Sequence, residues 1–186
     1  MYLVMEANFL KYKFKNEVLE WLKVITLSML MGFIVTMFIV PTVVSGESMY
    51  PTLKSNDYLI INKIAYKSEN PNRGDIVVFN SQLPKENGGN KNLVKRIIGL
   101  PNEHLIIKNG QVYINNKKIE EPYLDEIYTD GDIDIIIPEN YFFTMGDNRP
   151  ISRDSRDVEV GVVNKDEIVG RVSLRLFPFD NVGKIN

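Results

Sequence analysis

A mostly β protein, an antiparallel sandwich or partly closed barrel with a transmembrane helix in front of it, is the fold class that this 186-residue sequence predicts. Two observations carry it. Residues 24–44 contain no ionisable side chain and are rich in Leu, Ile, Met, Phe and Val, the composition of a membrane span. Beyond Leu53 the chain is a succession of short apolar, β-prone runs separated by Asn, Gly, Pro and Asp, with no helical period long enough to compete.

In chain order, residues 1–21 read as a tail and residues 22–44 as the anchor, since about 20 helical residues cross the hydrocarbon and Gly32 is a tolerated break in propensity. Lys11, Lys13, Lys15 and Lys23 lie on the N-terminal flank against Glu6, Glu17 and Glu20, whereas Glu47, Lys54 and Asp57 follow the span. The lysine excess places the N-terminus in the cytoplasm and everything after Val44 outside, with Tyr12 and Trp21 suited to the headgroup level. A cleaved secretory signal ending near Val43-Val44-Ser45 fits less well, because the apolar run is too long and Val43 too bulky. A buried core helix fits poorly too, because no polar face recurs at helical spacing. Residues 45–186 then form one extracytoplasmic domain large enough to bury a core.

Within that domain Tyr58–Ile61 and Asp75–Phe79 read as strands, the second after the turn signal Pro71-Asn72-Arg73-Gly74. Residues 81–92 read as an exposed loop ahead of a strand over Leu93–Ile98. His104–Lys108 and Gln111–Ile114 flank Asn109-Gly110, the strongest short hairpin signal a sequence offers. An acidic, turn-rich stretch, about 118–135, reads as a small β excursion, after which the chain returns through Ile135–Ile137, Tyr141–Met145 and Arg171–Leu176.

Composition excludes several chemistries. A net charge of −2 without a basic run interleaved with aromatics speaks against nucleic acid. The absence of cysteine removes disulfides and thiolate metal sites, and suits a chain working outside the reducing cytoplasm. No cluster of His and carboxylates suggests zinc or any other metal, and no cofactor motif is present, so neither is expected. The only histidine, His104, follows the turn Pro101-Asn102-Glu103, where exposure rather than a triad role is expected, and Gly46-Glu47-Ser48-Met49-Tyr50 lacks the second glycine of a nucleophile elbow. What remains is a serine activated by a lysine that has been made neutral by loss of water. Ser48, just past the apolar segment, would sit at the membrane surface. Lys95 shares a strand face with Leu93 and Ile97, which would desolvate it, while Arg96 lies on the other face. From the strand alone an edge lysine guarding against aggregation is the better reading of Lys95. From its turn alone Ser48 is an ordinary turn serine, and residues 146–157 a solvated charged turn.

Four ordered blocks change that balance: Ser48-Met49-Tyr50-Pro51-Thr52-Leu53, Arg73-Gly74-Asp75-Ile76-Val77-Val78-Phe79, Lys95-Arg96-Ile97-Ile98-Gly99-Leu100-Pro101, and Gly146-Asp147-Asn148-Arg149 through Ser152 and Asp154-Ser155-Arg156. Together, after a membrane segment, they resemble the signature of bacterial type I signal peptidases, and the match covers the anchor and nearly all of the β domain. With one apolar span and a short excursion, the chain is similar to the Gram-positive branch.

The resemblance implies a serine endopeptidase of the bacterial cell membrane that cuts signal peptides from exported preproteins after small, Ala-X-Ala-like residues. It implies Ser48 as nucleophile and Lys95 as general base, Ser152 as the hydroxyl orienting the amine, Asp154, Arg156 and Arg96 as polar support, and the Ser48 backbone N–H as oxyanion donor. Gly46 stands where some members carry a second, serine donor. The substrate is expected as an extended strand beside Val44, Gly46 and Met49 on one side and Leu93 and Val94 on the other. Expected partners are signal peptides and the lipid membrane, with the secretion translocon a candidate. A catalytically inactive anchored adaptor of the same fold is the alternative. A self-cleaving repressor-type Ser-Lys protease is disfavoured by the span and by the lack of a basic DNA-reading domain.

Overall fold

The computed structural model describes residues 2–85, 88–125 and 128–185, and for residues 2–12 and Val35 the backbone alone. The side chains of Glu6, Lys11 and Tyr12, and residues 86–87 and 126–127 of the expected loop and excursion, therefore lie outside the described residues.

The chain divides after Phe38 into two units. The first is one helix, α1 (Tyr2–Phe38), whose described side chains from Lys13 onward are all exposed. Its Lys13–Phe38 portion, 26 residues, is long and apolar enough to cross a membrane. At 1.5 Å per residue it measures about 39 Å, more than the hydrocarbon thickness.

The helix ends earlier than the uncharged composition suggests. Residues 39–43, expected as the last turns of the anchor, are instead strand β1 (Ile39–Val43), and Val44 is buried in the core of the second unit. The local reason is legible after the fact: Ile39, Val40, Thr42 and Val43 are β-branched, and Pro41 removes a helical donor while being tolerated on an edge strand. The expected boundary at 44/45 moves to 38/39.

The second unit is antiparallel throughout. Its remaining strands are β2 (Tyr58–Asn62), β3 (Ile76–Pro84), β4 (Asn90–Gly99), β5 (His104–Lys108), β6 (Gln111–Ile114), β7 (Lys117–Lys118), β8 (Ile133–Ile136), β9 (Tyr141–Met145), β10 (Val163–Asn164), β11 (Ile168–Phe177) and β12 (Gly183–Lys184). The larger sheet runs β1-β2-β11-β3-β4-β9-β10, with β12 against β11, and the smaller runs β7-β6-β5-β8. The hairpin around Asn109-Gly110 forms as expected, with both residues at positive φ, 52° and 74°. It belongs to the second sheet, so what reads in sequence as an excursion from one sheet is the closing part of another. Leu105, Ile107, Val112 and Ile114 pack there against Ile98, Phe143 and Met145 of the larger sheet.

The loop expected over 81–92 is mostly strand: β3 continues to Pro84 and β4 begins at Asn90, with Ser81 Oγ donating to the Lys91 carbonyl at 2.7 Å. Strand β3 is buried on both faces. Ile76 and Val78 join a core with Met49, Leu53, Leu59 and Ile61, whereas Val77 and Phe79 join Ile97, Phe142 and Val163. A strand covered on both sides reads as the uninterrupted apolar run Ile76-Val77-Val78-Phe79 rather than as an alternation.

Candidate active site

The turn after β1 is held from both ends. Val44 donates its N–H to the Asp57 carbonyl and accepts from Asn56, both at 2.9 Å, and Leu53 N–H donates to the Met49 carbonyl at 2.8 Å. Met49 and Leu53 fill the core beneath, which leaves Ser48 on the turn above them. Strand β4 brings Lys95 to the same place, so that Lys95 Nζ donates to Ser48 Oγ at 2.6 Å although 47 residues separate them in sequence.

Lys95 is 2 % exposed. Its cross-strand neighbour is Val77, and Val77, Leu93 and Ile97 belong to one apolar cluster on its face of β4. Burial pushes the amine down to about 8, against the pull of the Asp154 and Asp147 carboxylates and with help from the Arg156 guanidinium. At pH 7 about a tenth of such an amine is neutral, against roughly one part in three thousand for an ordinary lysine.

The turn after β9 closes the site from the other side. Asn148 N–H donates to the Ser48 carbonyl at 3.0 Å. Gly146 is there because nothing larger fits: a Cβ on it would stand 2.3 Å from the Ser48 carbonyl oxygen and 2.2 Å from Ser152 Oγ. Asp154 accepts from the Gly146 N–H at 2.9 Å and from Arg156 Nε and Nη2, each at 2.9 Å, a two-pronged pairing that fixes the loop. Arg96, on the opposite face of β4 from Lys95, pairs with both oxygens of Asp147 at 2.9 and 2.8 Å and donates to the Gly74 carbonyl at 2.9 Å. Asp147 in turn accepts from Thr52 Oγ1 at 2.5 Å, and Arg175 donates to the Thr52 carbonyl. Of the charged residues in the turn 146–157, Asp147, Arg149 and Asp154 are buried. Arg153 and Asp157, paired at 2.8 Å, lie toward solvent, as do Pro150 and Ile151.

Of the residues singled out in the sequence, Ser48, Lys95, Asp154, Arg156 and Arg96 converge. Ser152 does so only in part: its backbone N–H donates to the Asn148 carbonyl at 3.0 Å, but its hydroxyl is buried without a hydrogen-bond partner, so it does not bond to the Lys95 amine. The hydroxyl packs against Gly146, and the amine is turned to Ser48 instead. His104 is elsewhere, with Nε2 2.6 Å from Asp134 Oδ1 between β5 and β8. A cleft of about 240 Å³ opens beside Ser48 and Lys95, and Val44, Met49, Leu93 and Val94 line it together with Thr42 and Asn92, whereas Gly46 does not. Thr52, Asp147, Asn148 and Arg149 lie in the recognised blocks without an assigned role, and only their burial and pairing reveal one. Among the described residues no group of three or more His, Cys, Asp or Glu side chains is placed to hold a metal ion.

Comparison with known proteins identifies the family. A family model described as signal peptidase, peptidase S26, matches residues 18–177. The chain is 36% identical to signal peptidase IB of Staphylococcus aureus strain COL over 184 residues, covering 89% of this chain and 92% of the relative. It is 38% identical to signal peptidase I S of Bacillus subtilis strain 168, also over 184 residues, covering 92% and 96%. A crystal structure of a signal peptidase I from Enterococcus faecalis V583 is similar at 32% identity with a TM-score of 0.46, over 56% of this chain and 98% of that one. The family model begins within the apolar helix and covers the turn that carries Ser48 and the strand that carries Lys95, and on that match the chain belongs to the signal peptidase family, peptidase S26.

Proposed function

We propose that the chain is a membrane-anchored serine endopeptidase that cleaves signal peptides from exported preproteins, with Ser48 as nucleophile and Lys95 as general base. The observation that carries this reading is the 2.6 Å approach of a buried amine, depressed to about 8, to a serine hydroxyl at the mouth of a cleft.

In its neutral form Lys95 accepts the Ser48 proton as Oγ attacks the scissile carbonyl carbon. The resulting oxyanion is held by the Ser48 backbone N–H. The Lys95 ammonium then protonates the leaving amine, an acyl-enzyme remains on Oγ, and water activated by the same amine hydrolyses it.

The substrate enters as an extended strand. Strand β1 ends the larger sheet, and β4 meets β9 only over its Arg96–Gly99 end, so the outer edges of β1 and of residues 90–95 of β4 flank the cleft as open backbone. Main-chain pairing supplies affinity there, and the small space beside Val44 and Met49 favours small residues before the cut, of the Ala-X-Ala kind. The helix anchors the enzyme with its N-terminus cytoplasmic, so that cleavage occurs where preproteins emerge beside the translocon.

The test is incubation of the purified full chain with a preprotein, followed by sequencing of the new N-terminus, for wild type and Ser48→Ala. A single cut after small residues that disappears in Ser48→Ala is the expected result. A folded wild-type chain that binds preprotein without cutting it would favour the adaptor reading, and undiminished cleavage by Ser48→Ala would remove the dyad.

A further inference from the structure

Three arginines buttress the turn after β9, and all three are gripped by the stretch between β7 and β8, which has no part in the mechanism above. Arg149 is 2 % exposed, and both oxygens of Glu121 accept from its two terminal nitrogens, Oε2 at 3.0 Å, while Thr129 Oγ1 accepts as well. Arg96 lies with its guanidinium 3.9 Å from the centre of the Tyr123 ring. Arg156 Nη1 donates to the Asp130 carbonyl at 3.2 Å. Tyr123 is itself oriented by Glu121, its hydroxyl donating to Oε1 at 2.7 Å.

We propose that Glu121, Tyr123, Thr129 and Asp130 form a positioning strap for the reaction and that Glu121 is its central residue, holding the turn 146–149, and through it Ser48, in the reactive geometry. This rests on the Ser48–Lys95 reading and extends it to a segment outside the four recognised blocks.

Two routes lead from Glu121 to the nucleophile. In the first, Arg149 Nε donates to the Gly146 carbonyl at 3.1 Å, so that Glu121 fixes the residue that has no free space against Ser48, next to the Asn148 N–H that grips the Ser48 carbonyl. In the second, the Tyr123 ring packs against the Arg96 guanidinium, which meets both oxygens of Asp147, and Asp147 holds Thr52 of the nucleophile turn. Burial works against the charge of Arg149, and the hydrogen bonds and charge of Glu121 oppose that effect most, with Tyr123 and Asp147 acting in the same sense, so Glu121 is the principal counter-charge of this guanidinium. Neutralising Glu121 leaves that buried cation without its principal partner, and the turn moves to find another. A shift of about 1 Å at a nucleophile costs on the order of a hundredfold in rate without changing the groove that binds substrate.

The experiment compares kcat, KM and the acid limb of the pH profile for preprotein cleavage by the full-length protein in detergent, with the folded fraction of each variant measured by thermal unfolding under the same conditions. Glu121→Gln keeps the shape and one acceptor oxygen. It is expected to lower kcat per folded molecule about tenfold to a hundredfold with KM within about twofold. Thr129→Val and Tyr123→Phe each remove one contact and serve if Glu121→Gln does not fold, with severalfold losses in kcat expected for both. Glu120→Gln, an exposed neighbour, is expected to match wild type. The proposal is overturned if folded Glu121→Gln keeps its kcat, or if every loss tracks the unfolded fraction alone. In the second case the strap only stabilises the fold. Ser48→Ala run alongside separates the two readings: activity in Ser48→Ala defeats the dyad, whereas an inactive Ser48→Ala beside a fully active Glu121→Gln defeats only the strap.

Discussion

Asn148 holds the carbonyl of Ser48 through its backbone N–H at 3.0 Å, which makes the turn after β9 part of the support of the proposed nucleophile although the two are a hundred positions apart. The contact needs the chain to pass close over Ser48 at Gly146, where a Cβ would stand 2.3 Å from the Ser48 oxygen.

Gly146→Ala is therefore expected to abolish cleavage. The methyl group meets the Ser48 backbone oxygen on one side and the Ser152 Cβ on the other, and neither moves with a side-chain rotation. A cooperative thermal transition with no measurable turnover is the expected pair of results. Wild-type turnover in Gly146→Ala would mean that the turn is looser than the contacts describe.

Ser152→Ala should behave in the opposite way. A buried hydroxyl without a partner costs about 1–3 kcal/mol of desolvation, so removing it is expected to leave the melting temperature unchanged or raise it. Activity should fall only partially, because the amine is directed at Ser48 and not at Ser152 in this arrangement. A loss as complete as that of Ser48→Ala would show that Ser152 turns toward Lys95 when substrate binds.

Arg96 and Asp147 separate stability from activity. Asp147→Ala removes the carboxylate that meets two nitrogens of the buried Arg96 guanidinium and is expected to cost about 3–5 kcal/mol. The double variant Arg96→Met, Asp147→Leu replaces the pair by apolar groups and should recover much of that stability in urea unfolding. It should not recover cleavage, because Thr52 still lacks the oxygen that holds the nucleophile turn. Recovery of both would reduce the pair to a packing element.

These residues mark how far the sequence could be read. The strands over Tyr58–Ile61, Leu93–Ile98 and Tyr141–Met145 and the Asn109-Gly110 hairpin were legible because alternation, β-branching and turn chemistry are local properties. The end of the helix was obscured because Ile39–Val43 is as apolar as the span before it, and only pairing with β2 distinguishes a strand there. Which strands share a sheet was not legible, and residues 118–135 were read as an excursion, because the partner of a strand is a tertiary property. In the site, Lys95 and its desolvating face could be read from period-two alternation. Arg149 and Glu121 could not: a buried pair 28 residues apart has the same sequence appearance as two solvated charges. The resemblance supplied order and candidate roles, but not the contacts that hold the turn.

The pH dependence of cleavage tests the proposed role of Lys95 as base directly. Burial lowers Lys95 to about 8, so the active, neutral form increases as pH rises through that value. The kcat/KM of wild type should then rise about tenfold per pH unit below it and level off above. Lys95→Arg cannot lose its proton in this range and should be inactive throughout. The nearby charges set the position of the limb. Asp154 is the largest influence holding the amine's pKa up, and Arg156 works in the opposite sense. Asp154→Asn removes the first and leaves the second unneutralised, so both changes push the amine further down, and the limb should move to lower pH even though the loosened loop lowers the maximal rate. Measuring the three profiles in one detergent and buffer series decides the matter. A limb that does not move in Asp154→Asn, or turnover in Lys95→Arg, would mean that a group other than the Lys95 amine takes the Ser48 proton.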